Sequence, residues 1–237
     1  MESIFHPASS RGHANHGWLD TYHSFSFAGW FNPDKIHFGA LRVLNDDLVA
    51  IGEGFGTHPH DNMEIVSIPL QGVLEHKDST GAKGLIHNDE VQIMSAGTGV
   101  LHSEYNGSKT EPVNFLQIWV FPKVENIAPR YSQMQFDLKN RHNKWQILVS
   151  PDIQDKALWI NQDSIFARAN LSESTSLRYS CKFAGSCVYF FLIDGKVEIE
   201  GQTLNKRDAL GLRKADSFDI KALSSSDLLA IEVPDLT

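Results

Sequence analysis

Two short segments in the first half of the sequence carry side chains that could bind a metal ion. Thr57-His58-Pro59-His60 places two imidazoles two positions apart, and His102-Ser103-Glu104 places an imidazole and a carboxylate at the same spacing. Residues i and i+2 project to the same face of a β-strand, so each pair can face one interior. Three nitrogens and one oxygen suit a divalent first-row metal such as Fe, Mn, Ni, Cu, Co or Zn. About two positions of a six-coordinate metal would stay open, as a catalytic metal requires.

Glu64 is an alternative to Glu104 as the carboxylate ligand. It has the same strand parity as His58 and His60 if that strand continues unbroken. It could instead accept a hydrogen bond from a ligand imidazole or be an exposed charge, and we rank it below Glu104. The remaining histidines lack a paired spacing across strands, so we expect them to be structural or exposed. They are His6, His13, His16, His23, His37, His76, His87 and His142.

The elements that would position these residues are β-strands. Alternating apolar and polar residues, β-branched and aromatic side chains and frequent glycine or Asn-Asp turns dominate the sequence. Residues 114–121 form one such strand, with Phe115, Gln117 and Trp119 predicted on one face and Leu116, Ile118 and Val120 on the other. Many short strands separated by turns predict an antiparallel barrel or sandwich. We read residues 122–143 as a connector with at most one short helical turn.

A weak internal repeat relates the two halves. Counted back from the glycines of two similar hairpins, His58 corresponds to Cys181 and His60 to Phe183. The second half is therefore predicted to keep the scaffold and to lack the metal ligands.

Composition excludes several functional classes. The chain has 237 residues and a formal charge of −8, which argues against general binding to nucleic acid or anionic membranes. No apolar run is long enough to span a bilayer, and the N-terminus lacks the pattern of a signal peptide. Two cysteines in a chain of this length do not form a disulfide framework. We expect a cytoplasmic protein.

The sequence resembles the cupins and, more specifically, the pirin family of bicupins. Gly52, His58, His60, Glu64 and Gly72 fit the first cupin motif with one extra residue, and Gly99, His102 and Asn106 fit the second, with Gly97 in place of its proline. The resemblance is strong over residues 1 to about 135. Within the pirin family, the sequence most resembles the bacterial quercetin 2,3-dioxygenase-like members. The motif-bearing stretches are residues 11–20, 23–28, 54–65 and 92–106.

This resemblance implies an all-β bicupin with two antiparallel barrels. The metal-binding barrel would comprise residues 1–135, and a barrel without ligands would comprise residues 136–237. The implied ligands are His58, His60, His102 and Glu104, and the implied cofactor is one divalent metal, with Fe(II) preferred over Cu, Mn, Ni, Co and Zn.

The implied reaction is oxidative opening of the heterocyclic ring of a flavonol such as quercetin by dioxygen, with release of carbon monoxide. Glu104 would act as ligand and base, and Phe25, Phe27, Phe115 and Trp119 could form an apolar wall, although ordinary core is the simpler role for each of them. Two alternatives stay open. One is a non-enzymatic, metal-bearing regulator or redox sensor that binds a protein partner, and the other is a cupin isomerase or a different oxygenase.

Overall fold

The computed structural model describes residues 1–236 and confirms the prediction of an all-β protein. Three short 3-10 helices are the helical elements of this range, at Ala8–Ser10, Leu138–Arg141 and Ile153–Asp155, and none of them is long enough to cross a membrane. The strands are β1 (Glu2–His6), β2 (Gly12–Asn15), β3 (Leu19–His23), β4 (Leu41–Val49), β5 (Gly54–His60), β6 (Glu64–Gln71), β7 (Leu74–Asp78), β8 (Lys83–Ile86), β9 (Glu90–Ser95), β10 (Val100–Asn106), β11 (Val113–Val120), β12 (Arg130–Gln135), β13 (Gln146–Ser150), β14 (Leu158–Trp159), β15 (Ile165–Leu171), β16 (Ser176–Ser180), β17 (Ser186–Asp194), β18 (Lys196–Ile199), β19 (Gln202–Asn205), β20 (Ala209–Arg213), β21 (Ser217–Ala222) and β22 (Ser226–Pro234).

Each half of the chain pairs one seven-stranded sheet with one four-stranded sheet. The four-stranded sheets have the orders β5-β10-β7-β8 and β16-β21-β18-β19, which match strand for strand. The seven-stranded sheets share a matching centre, β9-β6-β11-β4 in the first half and β20-β17-β22-β15 in the second. The topology therefore repeats, as the hairpin comparison predicts.

The two halves differ in what fills their interiors. A large apolar cluster that includes Tyr179, Phe190 and Phe218 occupies the second barrel, so that space is closed by packed side chains. Among the described residues, the first barrel contains two small apolar clusters, one around Phe115 and one around Met94. Between these two clusters the inward-facing side chains, such as Gln117 and Asn45, are polar, and the cavity of the first barrel lies at this level.

Alternation along β11 explains how one strand serves two cores. Phe115, Gln117 and Trp119 face the interior of the first barrel, whereas Leu116 and Ile118 belong to the cluster between the two seven-stranded sheets. This confirms the predicted faces of residues 114–121. The apolar cluster between the sheets joins the halves.

Two connections were not foreseen. The strand β1 lies at the edge of the sheet of the second half, paired with β20, and the segment read as a connector contains β12, which pairs with β9 of the first half. Both are edge strands added to otherwise equivalent sheets. The division into residues 1–135 and 136–237 stays a prediction, with β1 crossing to the second sheet.

The histidine at the end of β1 predicts a pH dependence of stability. His6 is buried, its Nδ1 lies 2.9 Å from the hydroxyl of Tyr189, and burial lowers its pKa to about 4. In the unfolded chain the pKa is about 6.5, so between pH 6.5 and 4 the unfolded state binds a proton that the native state does not. The contribution of neutral His6 to the free energy of unfolding is therefore fully present above pH 6.5 and is lost as the pH falls toward 4.

We expect the substitution His6→Gln to flatten this dependence by up to about 1.4 kcal/mol per pH unit. Urea unfolding of metal-free protein at pH 7 and pH 5 measures it, with His142→Gln at an exposed position as the matched control. An unchanged pH dependence in His6→Gln would contradict the assignment.

Candidate metal centre

The strands β5 and β10 bring the two predicted ligand pairs together. They are antiparallel neighbours, with His102 opposite His58 and Val100 opposite His60. The register shifts between His102 and Glu104, which is a β-bulge next to the site. Because the side-chain period of a strand is two, both members of each pair face the barrel interior.

Three imidazoles form the centre of the site. Candidate ligand atoms of His58, His60 and His102 all lie within 4.8 Å of one another, and ring centroids of His58 and His102 are 4.5 Å apart. Burial lowers the pKa of His60 to about 4 and that of His102 to about 3, with the neighbouring imidazoles as a further cause. Both rings are therefore neutral at pH 7, the form in which histidine binds a metal.

Glu104 lies on the same strand but in a second group of potential ligands. Its carboxylate and candidate atoms of His102 and His76 are within 4.8 Å of one another. The structure thus brings the three predicted histidines together and joins Glu104 to them through His102, whereas the four predicted residues do not form one group within that distance.

A hydrogen-bond network holds the Glu104 carboxylate. Gln117 Nε2 donates to Oε2 at 2.5 Å, Gln92 Nε2 donates to Oε1 at 2.8 Å, and Ser67 Oγ donates to Oε1 at 3.0 Å. The two amides can only donate through these nitrogens, so the network suits the acceptor-only ionised carboxylate. Gln117, predicted on the same strand face as Phe115 and Trp119, is buried in the site.

Sequence reasoning overlooked His76. This residue on β7 is completely buried, stacks on Tyr131 with ring centroids 4.5 Å apart, and lies 3.0 Å through Nε2 from Asp78 Oδ2. Its ring packs 5.4 Å from that of His102. The signal was present, because His76 and Asp78 have the same i, i+2 spacing as the ligand pairs.

Glu64 occupies a different place from the candidate ligands. Its Oε2 accepts hydrogen bonds from Ser95 Oγ at 2.8 Å and from the backbone N–H of Asn161 at 3.1 Å. Burial raises the pKa of this carboxyl. Since Asn161 belongs to the second half, Glu64 links the two halves and belongs to neither group of potential ligands.

We therefore expect Glu64→Ala to destabilise the protein without removing metal. The substitution leaves a buried hydroxyl and a buried N–H without an acceptor, which costs about 2–3 kcal/mol. Chemical denaturation and metal analysis of the same sample check both parts. Loss of metal with unchanged stability would assign Glu64 as a ligand instead.

A cavity of about 620 Å³ adjoins the imidazoles. His58, His60 and Glu104 line one side of it, and the N-terminal segment closes another side. Of the four predicted wall aromatics, Phe27 and Trp119 line the cavity, and Trp18, Trp30 and Phe55 join them. Phe25 instead packs between the two sheets, and Phe115 packs in one of the small clusters.

The resemblance to known proteins follows the same division into halves. The family model described as "Pirin" matches residues 5–120, and the model described as "Quercetinase C-terminal cupin domain" matches residues 147–233. The quercetin 2,3-dioxygenase of Escherichia coli (strain K12) is 42% identical over 228 residues, which are 96% of this chain and 96% of that protein. The chain belongs to the pirin family. The two models also confirm that both barrels are cupins.

Other pirins extend the comparison. A pirin-like protein of Caulobacter vibrioides is 37% identical over 227 residues, covering 95% of this chain and 97% of that protein. A crystal structure of the bacterial pirin YhhW from Escherichia coli in complex with nickel(II) has a TM-score of 0.93 and 40% identity. The superposed residues make up 99% of this chain and 100% of the YhhW chain. The chain is thus a quercetin 2,3-dioxygenase-like pirin.

The residues of the candidate centre fit a divalent metal. Nδ1 of His58 lies 2.7 Å from the carbonyl oxygen of Gly56, so this nitrogen carries the proton and leaves Nε2 as the ligand atom. Nδ1 of His102 is buried and has no hydrogen-bond partner. A set of imidazoles with one nearby carboxylate is typical of non-haem iron and related metals.

Gln117 is expected to position Glu104. Gln117→Leu removes the donor to Oε2, and loss of such an outer contact typically costs 10–100-fold in activity or metal affinity. We expect kcat to fall about 10–100-fold, whereas the metal content and KM should change little. Gln133→Leu, on β12 outside the cavity, is the control. Wild-type kcat in Gln117→Leu would exclude the positioning role.

Proposed function

We propose that this pirin is a metal-dependent dioxygenase that opens the heterocyclic ring of a flavonol such as quercetin and releases carbon monoxide. The single observation that carries the proposal is the cluster of three imidazoles, of which His58 and His60 line, together with Glu104, a cavity walled by aromatic rings. Relatives named quercetin 2,3-dioxygenase support the substrate class.

The proposed ligands are His58, His60, His102 and Glu104, and Fe(II) is the proposed metal. When bound, the ion supplies Lewis acidity toward the 3-hydroxyl of the flavonol and open positions for substrate and dioxygen. The related YhhW structure is a complex with nickel(II), and metal analysis of the purified protein tests the assignment of Fe(II) to this chain.

The protein's own residues bind the flavonol and accept its proton. Glu104 lines the cavity and is held by three donors, so it can take the proton of the 3-hydroxyl when that group lies within hydrogen-bond reach. Phe27 and Trp119, whose rings meet edge to face with centroids 5.3 Å apart, offer flat apolar surfaces to the substrate rings. The surrounding aromatic side chains also restrict water.

Aerobic turnover tests the proposal. Protein loaded with Fe(II), Mn(II), Cu(II) or Ni(II) is mixed with quercetin, and flavonol absorbance, dissolved oxygen and carbon monoxide are followed together. We expect equal consumption of flavonol and oxygen and release of one carbon monoxide per flavonol. No turnover with any metal would exclude the function.

A further inference from the structure

A row of polar side chains crosses the inner face of the seven-stranded sheet of the first barrel. Strand pairing aligns His23 with Asn45, Asn45 with Gln117, Gln117 with Ser67, and Ser67 with Gln92. Side chains of directly paired residues lie on the same face of a sheet. The row therefore runs continuously from β3 to β9 at one level of the barrel.

The row divides into two parts. Gln117, Ser67 and Gln92 donate hydrogen bonds to Glu104 and belong to the candidate metal centre. His23 and Asn45 lie beyond Gln117, and the network around Glu104 does not use them. Neighbouring strands are about 4.8 Å apart, and β4 lies between β3 and β11, so the backbone at His23 is about 10 Å from the backbone at Gln117.

The outer part of the row contains buried polar atoms without partners. His23 and Asn45 each expose 3% of their surface, and neither Nδ1 of His23 nor Oδ1 of Asn45 has a hydrogen-bond partner. A buried polar group without a partner costs free energy, so a ligand hydroxyl that reaches these side chains from the cavity would gain from pairing with them. Both side chains line the same cavity as the candidate metal ligands.

A carboxyl stands beside this pair. Asp47 follows Asn45 on the same face of β4, lines the cavity and accepts a hydrogen bond from the hydroxyl of Thr21. Burial raises its pKa to about 7, with Asp46 and Glu104 as further causes. Each of its oxygens can accept more than one hydrogen bond, so the carboxyl retains capacity for a ligand hydroxyl.

We infer that His23, Asn45 and Asp47 form a second polar subsite that binds hydroxyl groups at the end of the flavonol remote from the metal. This inference rests on the proposed function and names the substrate class more narrowly. The cavity would favour flavonols with hydroxyl groups on their outer rings over 3-hydroxyflavone, which has only the 3-hydroxyl. The selectivity arises from unpaired protein groups, because an analogue that lacks the hydroxyls leaves those groups unsatisfied.

Binding of two flavonols measures this selectivity separately from catalysis. Zinc-loaded protein is titrated under nitrogen with quercetin and with 3-hydroxyflavone, and quenching of the tryptophans that line the cavity reports the dissociation constants. We expect quercetin to bind at least about 10-fold more tightly to the wild type, as one to two hydrogen bonds would give. The preference should fall to about 2-fold or less in Asn45→Leu and in His23→Phe.

Controls separate the inference from misfolding and from the proposed function. Removing an unpaired buried oxygen should leave the melting temperature of Asn45→Leu unchanged or higher. Asn205→Leu, at an exposed position on β19, should keep the wild-type preference. Equal affinities of the wild type for both flavonols, with aerobic turnover of 3-hydroxyflavone, would overturn the subsite alone. If neither quercetin nor 3-hydroxyflavone bound, the subsite and the proposed function would both be overturned.

Discussion

Replacing His102 by alanine is expected to weaken metal binding severely and to remove turnover. His102 belongs to both groups of potential ligands, with His58 and His60 on one side and with His76 and Glu104 on the other. A four-ligand zinc site is worth roughly 10–16 kcal/mol, so one ligand contributes about 3 kcal/mol, which is at least about 100-fold in affinity. Competition with a chelating dye measures the affinity, and oxygen uptake measures the loss of activity.

Comparison of His58→Ala with His76→Ala decides which group holds the metal. Both residues neighbour His102, but His58 lines the cavity whereas His76 is buried behind the ring of His102. We expect His58→Ala to lose at least about 100-fold in metal affinity. His76→Ala should lose stability, because it removes the packing on Tyr131 and the partner of Asp78, and should lose no more than about 10–100-fold in affinity. The reverse order would assign His76 as a ligand.

Glu104→Gln is expected to lower kcat by about 10²–10⁴-fold, the usual contribution of a positioned base. The amide cannot accept the proton of the 3-hydroxyl, and its NH₂ group would oppose the donors of Gln92 and Gln117. Steady-state oxygen uptake with quercetin gives kcat and KM, and metal analysis of the same preparation shows how much of the loss reflects weaker metal binding.

Glu90→Gln provides the matched control for this change. Glu90 begins β9 of the same barrel, is half-buried, and its carboxylate pairs with Nδ1 of the exposed His87 away from the cavity. We expect its kcat to equal that of the wild type. A Glu104→Gln protein that retains full metal content and wild-type kcat would show that the reaction does not need this carboxylate.

The sequence predicted the parts of the fold that depend on local periodicity. Alternation along residues 114–121 correctly separated the barrel face with Gln117 from the face with Leu116 and Ile118. The i, i+2 spacing put His58 with His60 and His102 with Glu104 on one strand face each, because strand parity decides which way a side chain faces, and the pairing of β5 with β10 then brings the two pairs together. The topological repeat was visible because equivalent hairpins keep their glycine turns.

What the sequence did not reveal depends on pairing between distant strands. Ser67 and Gln92 surround Glu104 because β6 and β9 are neighbours on the opposite sheet, and no local spacing encodes that register. The crossing of β1 to the second sheet is equally non-local. Phe25 was predicted among the wall aromatics, but β3 ends at His23 and Phe25 packs in the core between the sheets.

Anomalous diffraction from crystals grown with Fe(II), recorded on both sides of the iron absorption edge, tests the central claim most directly. We predict one strong iron peak bound by His58, His60, His102 and Glu104 at the side of the cavity, and no peak in the second barrel, whose interior is filled by apolar side chains. A peak beside Cys181, or the absence of any peak among the imidazoles, would contradict it.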